Sequence, residues 1–359
     1  MVSKNKHKIT KSLQDALIFC QKGQFNEARN IYQKLIRVIP TNDQMLSNFG
    51  TIELQMGNIE YATELIKRSL LINPNQPNLL NNLGVHYLEN GGSNNSIEYF
   101  DKAISLNPED ANAFYNKGRA LTSINKIEGA INCYKEAIKI NPKNKSAHLN
   151  LGFVLNLIKN FDEAIREYNI AIDLDKNFWG AIYNRGVTFS NQGNNEKAIE
   201  DFHAAIRLEP ENYIAHLNLA YIKLATHDYR SGWEFYESRW KVQDENFISF
   251  DTKKPKLVSF EVKNKKILIW GEQGIGDHIL YSTMLPDALK TDNEFIVVLD
   301  SRLLDLYRVS FKDYKNVVFF DCVSDDNLYD FHLPIASLGQ FFRNSKKDFL
   351  SHKNPPLLA

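Results

Sequence analysis

Prolines at positions 40, 74, 108 and 142 stand at a constant spacing of 34 residues, and Pro210 lies two periods further on, with Lys176 in the skipped place. A period of this length marks an array of like supersecondary units rather than one closed core. Cutting after each thirty-fourth position gives seven units: 7–40, 41–74, 75–108, 109–142, 143–176, 177–210 and 211–244. Other columns repeat with it. The tenth reads Ala16, Gly50, Gly84, Gly118, Gly152, Gly186, Ala220, and the twenty-second Ala28, Ala62, Ser96, Ala130, Ala164, Ala198, Gly232. The twenty-sixth is large (Tyr32, Ile66, Phe100, Tyr134, Tyr168, Phe202, Tyr236), and the seventeenth is glycine at Gly23, Gly57, Gly91 and Gly193.

Each unit reads as two short helices. A turn near column seventeen uses glycine's permissive backbone. Small residues at columns ten and twenty-two let the paired helices approach, and the large residue at column twenty-six fills the space beside them. Proline at column thirty-four stops the second helix. One such pair cannot bury its own apolar face, so the units stack. The pattern resembles the tetratricopeptide repeat family over residues 7–244, about two thirds of the chain. The resemblance implies an α-solenoid of seven helical hairpins coiled as a right-handed superhelix, whose inner wall binds a protein or an extended peptide.

Column eight reads Gln14, Asn48, Asn82, Asn116, Asn150, Asn184, Asn218. It lies two residues before the small residue of column ten, about 200° around a helix. If column ten faces the partner helix, column eight faces the inner wall. A carboxamide offers both donor and acceptor, so six of them at regular spacing can grip a peptide backbone with little regard to its sequence. Column eleven varies beside it: Thr51, Val85, Arg119, Phe153, Val187, Tyr221. The column resembles the asparagine ladder of O-linked N-acetylglucosamine transferases, which holds substrate polypeptide. A second role is equally open, since asparagine at this column also serves local hydrogen bonds in the repeat family.

The period stops after Asp244. Residues 245–262 read as a linker, with a solvated Lys253-Lys254-Pro255-Lys256 run. Beyond it the pattern is that of a small α/β domain, 263–359. Lys266–Trp270, Phe295–Leu299, Val317–Phe320 and Tyr329–Pro334 read as strands, with helices at His278–Lys290 and Ser301–Val309. Alternating strand and helix implies a parallel sheet. The turn Gly271-Glu272-Gln273-Gly274-Ile275-Gly276-Asp277 joins the first strand to the first helix, where free N–H groups favour an anion. It has neither the spacing of a P-loop nor that of a dinucleotide fingerprint.

Glu272 to Asp277, with Leu280 and Leu285-Pro286, resembles the opening turn of the Rossmann-like acceptor domain in heptosyltransferase-like glycosyltransferases of the GT-B fold. The stretch Gly232–Trp240 is similar to the junction in bacterial proteins that join tetratricopeptide repeats to such a domain. The resemblance implies that Gly274 and Gly276 form an anion or acceptor loop and that Asp277 is a general base. The alternative for Asp277 is an N-cap of the helix; for His278, a base or a surface histidine. In that family the nucleotide-sugar lies against a second domain, so the expectation is an incomplete transferase that takes such a donor only if another domain is supplied.

Acidic and basic residues balance at 43 each, which gives no electrostatic footprint for nucleic acid. Cys20, Cys133 and Cys322 are widely separated and form no disulfide framework. With a polar start and no run long enough to span a bilayer, the expectation is a cytoplasmic protein. No HExxH motif or Cys/His cluster suggests a metal, no cofactor is expected, and His148 and His216, both at column six, read as packing or groove residues.

Overall fold

The computed structural model describes residues 2–242, 250–272 and 274–350, so Met1, the end of the seventh unit with the start of the linker (243–249), Gln273 and the final 351–359 lie outside the described residues. The chain divides between Lys176 and Asn177 into two compact units. The first is built of helical hairpins: α1 (Val2–Gln21) with α2 (Phe25–Leu35), α3 (Asp43–Gln55) with α4 (Ile59–Ile72), α5 (Pro77–Glu89) with α6 (Ser93–Leu106), α7 (Ala111–Ser123) with α8 (Ile127–Ile140), and α9 (Lys145–Leu157) with α10 (Phe161–Leu174).

The conserved spacing of small and large columns has a direct steric meaning. A methyl group on Gly84, Gly118 or Gly152 would fall 2.6 to 2.7 Å from the ring of Phe100, Tyr134 or Tyr168, the column-twenty-six residue of the same hairpin. Those rings are buried against glycine, which is why column ten must be small. Column seventeen takes a left-handed backbone in all seven repeats. Four are the glycines (φ from +71° to +79°), but Asn125, Lys159 and His227 adopt φ of 58°, 61° and 69° without that freedom. The stacking of the two helices dictates the turn, and three side chains bear the strain.

The second helices end two residues before Pro74, Pro108, Pro142 and Pro210, at Ile72, Leu106, Ile140 and Leu208, while α2 stops at Leu35, five residues before Pro40. The helix before Lys176 ends at the equivalent Leu174. Proline therefore reinforces a stop that the packing already sets. Column two supplies N-caps: Asn42, Asp110, Asn144 and Asn212 accept from backbone N–H groups of the following turn.

The second unit contains two further hairpins, α11 (Trp179–Asn191) with α12 (Asn195–Leu208) and α13 (Tyr213–Ala225) with α14 (Tyr229–Tyr236), followed by a four-stranded sheet. Its strands are β1 (Lys266–Trp270), β2 (Glu294–Val298), β3 (Val317–Phe320) and β4 (Phe331–Pro334), in the order β3-β2-β1-β4 and all parallel. Central β1 is buried from Ile267 to Trp270, as a continuous apolar run in a parallel sheet should be. The expected helix at His278–Lys290 is two pieces, α15 (Ile275–Ser282) and α16 (Leu285–Ala288). Pro286 has no N–H to continue α15 and sits instead in the first turn of α16. The expected helix from Ser301 begins as a 3-10 turn, capped by Asp300, before α17 (Leu304–Ser310). The chain then passes to α18 (Gly339–Phe342) and α19 (Lys346–Leu350).

Candidate functional site

Column eight lies on the first helix of each hairpin, turned away from the glycine–ring contact of column ten. Its asparagines are not equivalent. Asn82 is exposed, Asn48, Asn150, Asn184 and Asn218 are half-buried, and Asn116 is buried. Three of them tie one repeat to the one before it. Asn116 donates to Asn81 Oδ1 at 3.1 Å, Asn150 to Tyr115 Oη at 3.2 Å and Asn218 to Tyr183 Oη at 2.9 Å. In each case the acceptor is column seven of the preceding repeat. Where that column is leucine, at Leu13 and Leu149, the asparagine bonds within its own helix: Asn48 accepts from Gln44 at 3.0 Å, and Asn184 donates to Gly180 O at 2.8 Å. The Asn82 side chain makes no protein hydrogen bond among the described residues. The column thus performs the local role in part of the array and keeps spare capacity throughout, because a carboxamide has two N–H donors and a carbonyl.

A recess of about 470 Å³ opens on the first three repeats. Column-eight Asn48 and Asn82 line it together with column-eleven Leu17 and Thr51. Gln21, Gln44, Gln55 and Asn78 bring its carboxamides to six, its floor includes Phe25, Ile52 and Leu79, and no charged side chain borders it. A second recess of about 240 Å³ continues from Thr51 and Asn82 to Val85, His86 and Glu89. Such a surface can exchange paired hydrogen bonds with an extended backbone and seat uncharged side chains, and the first recess offers an ionic partner no opposite charge.

The column-six histidines read the preceding repeat. His148 is buried with Nδ1 2.6 Å from Glu167 Oε2 and Nε2 3.1 Å from Pro142 O, and His216 Nε2 lies 3.0 Å from Pro210 O. Burial works against charging His148, but the Glu167 carboxylate and the Pro142 carbonyl outweigh it and raise the pKa above the usual imidazole value.

In the second unit, the turn after β1 is organised by a buried ion pair that the sequence did not disclose. Arg239 is fully buried and forks onto Glu272, with Nε–Oε2 at 2.7 Å and Nη2–Oε1 at 3.0 Å. It also donates to Glu237 Oε1 at 2.7 Å and Ser337 Oγ at 2.9 Å. Its guanidinium carbon lies 4.4 and 4.3 Å from the ring centres of Tyr236 and Trp240. Glu272 accepts once more from Ala336 N at 2.9 Å. Burial alone would push the Glu237 carboxyl up; Arg239 and Lys256, which also pairs with it, hold it below the usual carboxylate range. Trp233 adds a second tie: its Nε1 donates to Arg343 O at 2.9 Å, and its ring leaves no room for a side chain at Gly339.

Two expectations about this turn need correction. Asp277 is not the N-cap: α15 begins at Ile275 with Gly274 as its cap, so Asp277 stands in the first turn, half-buried. His278 is not a surface residue but is buried, with its ring where a Gly271 side chain would be; a methyl there would lie 2.1 Å from Nε2. Glycine is therefore required at 271, whereas a methyl on Gly274 or Gly276 meets nothing within 4 Å. Asp300 N donates to His278 Nδ1 at 3.4 Å, and Tyr307 Oη donates to His278 O at 2.9 Å. Among the described residues no three His, Cys, Asp or Glu side chains converge as metal ligands, and no helix is long and apolar enough to cross a membrane.

Comparison with known proteins identifies the repeats. Family models described as "TPR repeat" and "Tetratricopeptide repeat" match residues 118–157 and 180–212, and one described as "Coatomer epsilon subunit" matches residues 4–117. Protein FlbA of Caulobacter vibrioides is 32% identical over 95 residues, covering 26% of this chain and 16% of its own length. The crystal structure of MamA is 28% identical, with a TM-score of 0.43, over 45% of this chain and 94% of that one. A tetratricopeptide repeat protein from Parabacteroides merdae superimposes with a TM-score of 0.54 at 19% identity, over 67% of this chain and 94% of its own. The chain carries tetratricopeptide repeats in a helical solenoid, with a small parallel sheet after them.

Proposed function

We propose that this chain is a scaffold that holds an extended polypeptide along the inner wall of its repeats, with residues 7–244 as the binding array and 263–359 as an appended α/β domain beyond a 245–262 linker. One observation carries the reading: the uncharged recess on the first three repeats, where column eight and column eleven meet. Each net hydrogen bond contributes only about 0.5–1.5 kcal/mol, so affinity accumulates along the array. Three free thiols among the described residues fit a reducing, cytoplasmic setting.

The hydrogen bonds separate binding from stability. Asn116, Asn150 and Asn218 tie repeats together by hydrogen bonds, whereas Asn48, Asn82 and Asn184 make no such bond, Asn48 standing only beside the buried Tyr32 hydroxyl of the repeat before it. Replacing the second set together with alanine is expected to abolish capture of an extended uncharged peptide while leaving the melting temperature nearly unchanged. Retained capture would reject the reading.

A second reading, glycosyl transfer with Asp277 as general base and a nucleotide-sugar donor, is favoured by the parallel sheet and by the place of Asp277 in the first turn after β1. Calorimetry against a panel of nucleoside-diphosphate sugars tests it; no heat of binding from any of them dismisses it for this chain.

A further inference from the structure

The second helices of repeats two and three, α4 and α6, leave a groove of about 550 Å³ between them, separate from the inner-wall recesses. Its floor and walls are Leu70, Leu71, Tyr99 and Leu106, and its rim carries Lys67 and Lys102. Leu71 is 83% exposed. It occupies column thirty-one, which every other repeat fills with a polar or charged residue: Arg37, Ser105, Lys139, Asp173, Arg207 and Lys241. A leucine offered to water at a position where the array otherwise avoids one is a feature of this groove, not of the repeat. Leu106, 41% exposed, continues the apolar surface.

The rim is of one sign. No carboxylate lines the groove, and neither lysine has an ion-pair partner among the described residues. Of the nearby carboxylates, Glu64 and Asp101 pair elsewhere, with Arg68 at 3.8 Å and Lys117 at 2.6 Å, and Glu98, exposed one turn before Lys102, does not line the groove. The Lys102 ammonium instead lies 5.6 Å from the Tyr99 ring centre. We propose that this groove docks an acidic amphipathic helix of a partner protein, its apolar face on Leu70, Leu71 and Leu106 and its carboxylates on Lys67 and Lys102. A groove between two helices receives a third through apolar residues spaced at one helical face. Charge selects the occupant: a second copy docking through the same groove would bring lysines against lysines, which like-charge repulsion disfavours.

The test uses the full chain and two fluorescein-labelled synthetic helices of about 18 residues, alike in a leucine face and differing only in glutamate or lysine elsewhere. Fluorescence anisotropy should show the acidic helix bound and the basic one not. Leu71→Lys, at an exposed site that folding does not depend on, should weaken binding at least about tenfold, and so should Lys67→Glu with Lys102→Glu. The Asn48, Asn82 and Asn184 alanine variant should bind the acidic helix normally, which keeps this result distinct from the fate of the inner-wall reading. Equal binding of both helices, no binding of the acidic one, or an affinity indifferent to Leu71→Lys overturns the proposal. So does concentration-dependent self-association in sedimentation that Leu71→Lys abolishes, since the occupant would then be a second copy.

Discussion

Replacing Arg239 by methionine keeps much of its stem but removes the cation from a fully buried site. Glu272, 2% exposed, would lose two hydrogen bonds at 2.7 and 3.0 Å and keep only the one from Ala336 N. Glu237 would keep Lys256. One buried carboxylate is thus stranded, and breaking a buried pair from one side costs about 3–5 kcal/mol. For a unit of this size that corresponds to a fall in melting temperature of about 6–20 °C. The double variant Arg239→Met with Glu272→Gln leaves no buried charge, and should recover a large part of the loss. The assay is built in: Trp179, Trp233, Trp240 and Trp270 all lie beyond Asn177, so tryptophan fluorescence during urea unfolding follows the second unit. Far-ultraviolet circular dichroism weighs the helices of both. A loss below about 1 kcal/mol in the fluorescence transition, or a double variant less stable than either single one, would refute the view that this ion pair organises the turn after β1.

Gly118→Ala places a methyl 2.6 Å from the buried Tyr134 ring. Overpacking costs about 1–3 kcal/mol, of which better helix propensity returns up to about 1 kcal/mol, so a net loss is expected in denaturant titration. Gly276→Ala, with open space before it, should cost nothing measurable. Lys159→Gly relieves a left-handed backbone at φ 61° on an exposed turn and should stabilise by about 0.5–1 kcal/mol in the same assay. His148 has acceptors at both ring nitrogens, and its folded pKa is raised. Its contribution to stability is therefore full below the unfolded value of about 6.5 and lost as pH rises through the folded one. Melting temperature should fall across that window, and His148→Gln should flatten the slope.

The repeat was legible because periodicity is written directly in column spacing, and the glycine–ring contacts of columns ten and twenty-six are its physical content. The four strands were legible as apolar runs, and their parallel pairing followed from alternation with helices. Left-handed turns at Asn125, Lys159 and His227 were hidden because tertiary stacking, not local propensity, imposes them. The split role of column eight was hidden for another reason. It depends largely on column seven of the preceding repeat, where Asn81, Tyr115 and Tyr183 accept and Leu13 and Leu149 cannot, although Ser47 takes no bond from Asn82. Reading the two columns together would have exposed most of it. Arg239 and Glu272 lie 33 residues apart with no shared motif, so only the fold reveals their pairing. The start of α15 was misjudged because Asp277 is a good cap by residue type, while the backbone turns three residues earlier at Gly274.

Recognition of the peptide backbone by the carboxamides of the inner wall is most directly tested with backbone-modified ligands. Uncharged peptides of about 14 residues would be compared by fluorescence anisotropy as a parent, a sequence-scrambled form, and a form N-methylated at alternate residues, which deletes main-chain donors and leaves every side chain. The account predicts that scrambling changes affinity little and that N-methylation abolishes binding. A methylated peptide that binds as well as its parent would contradict it.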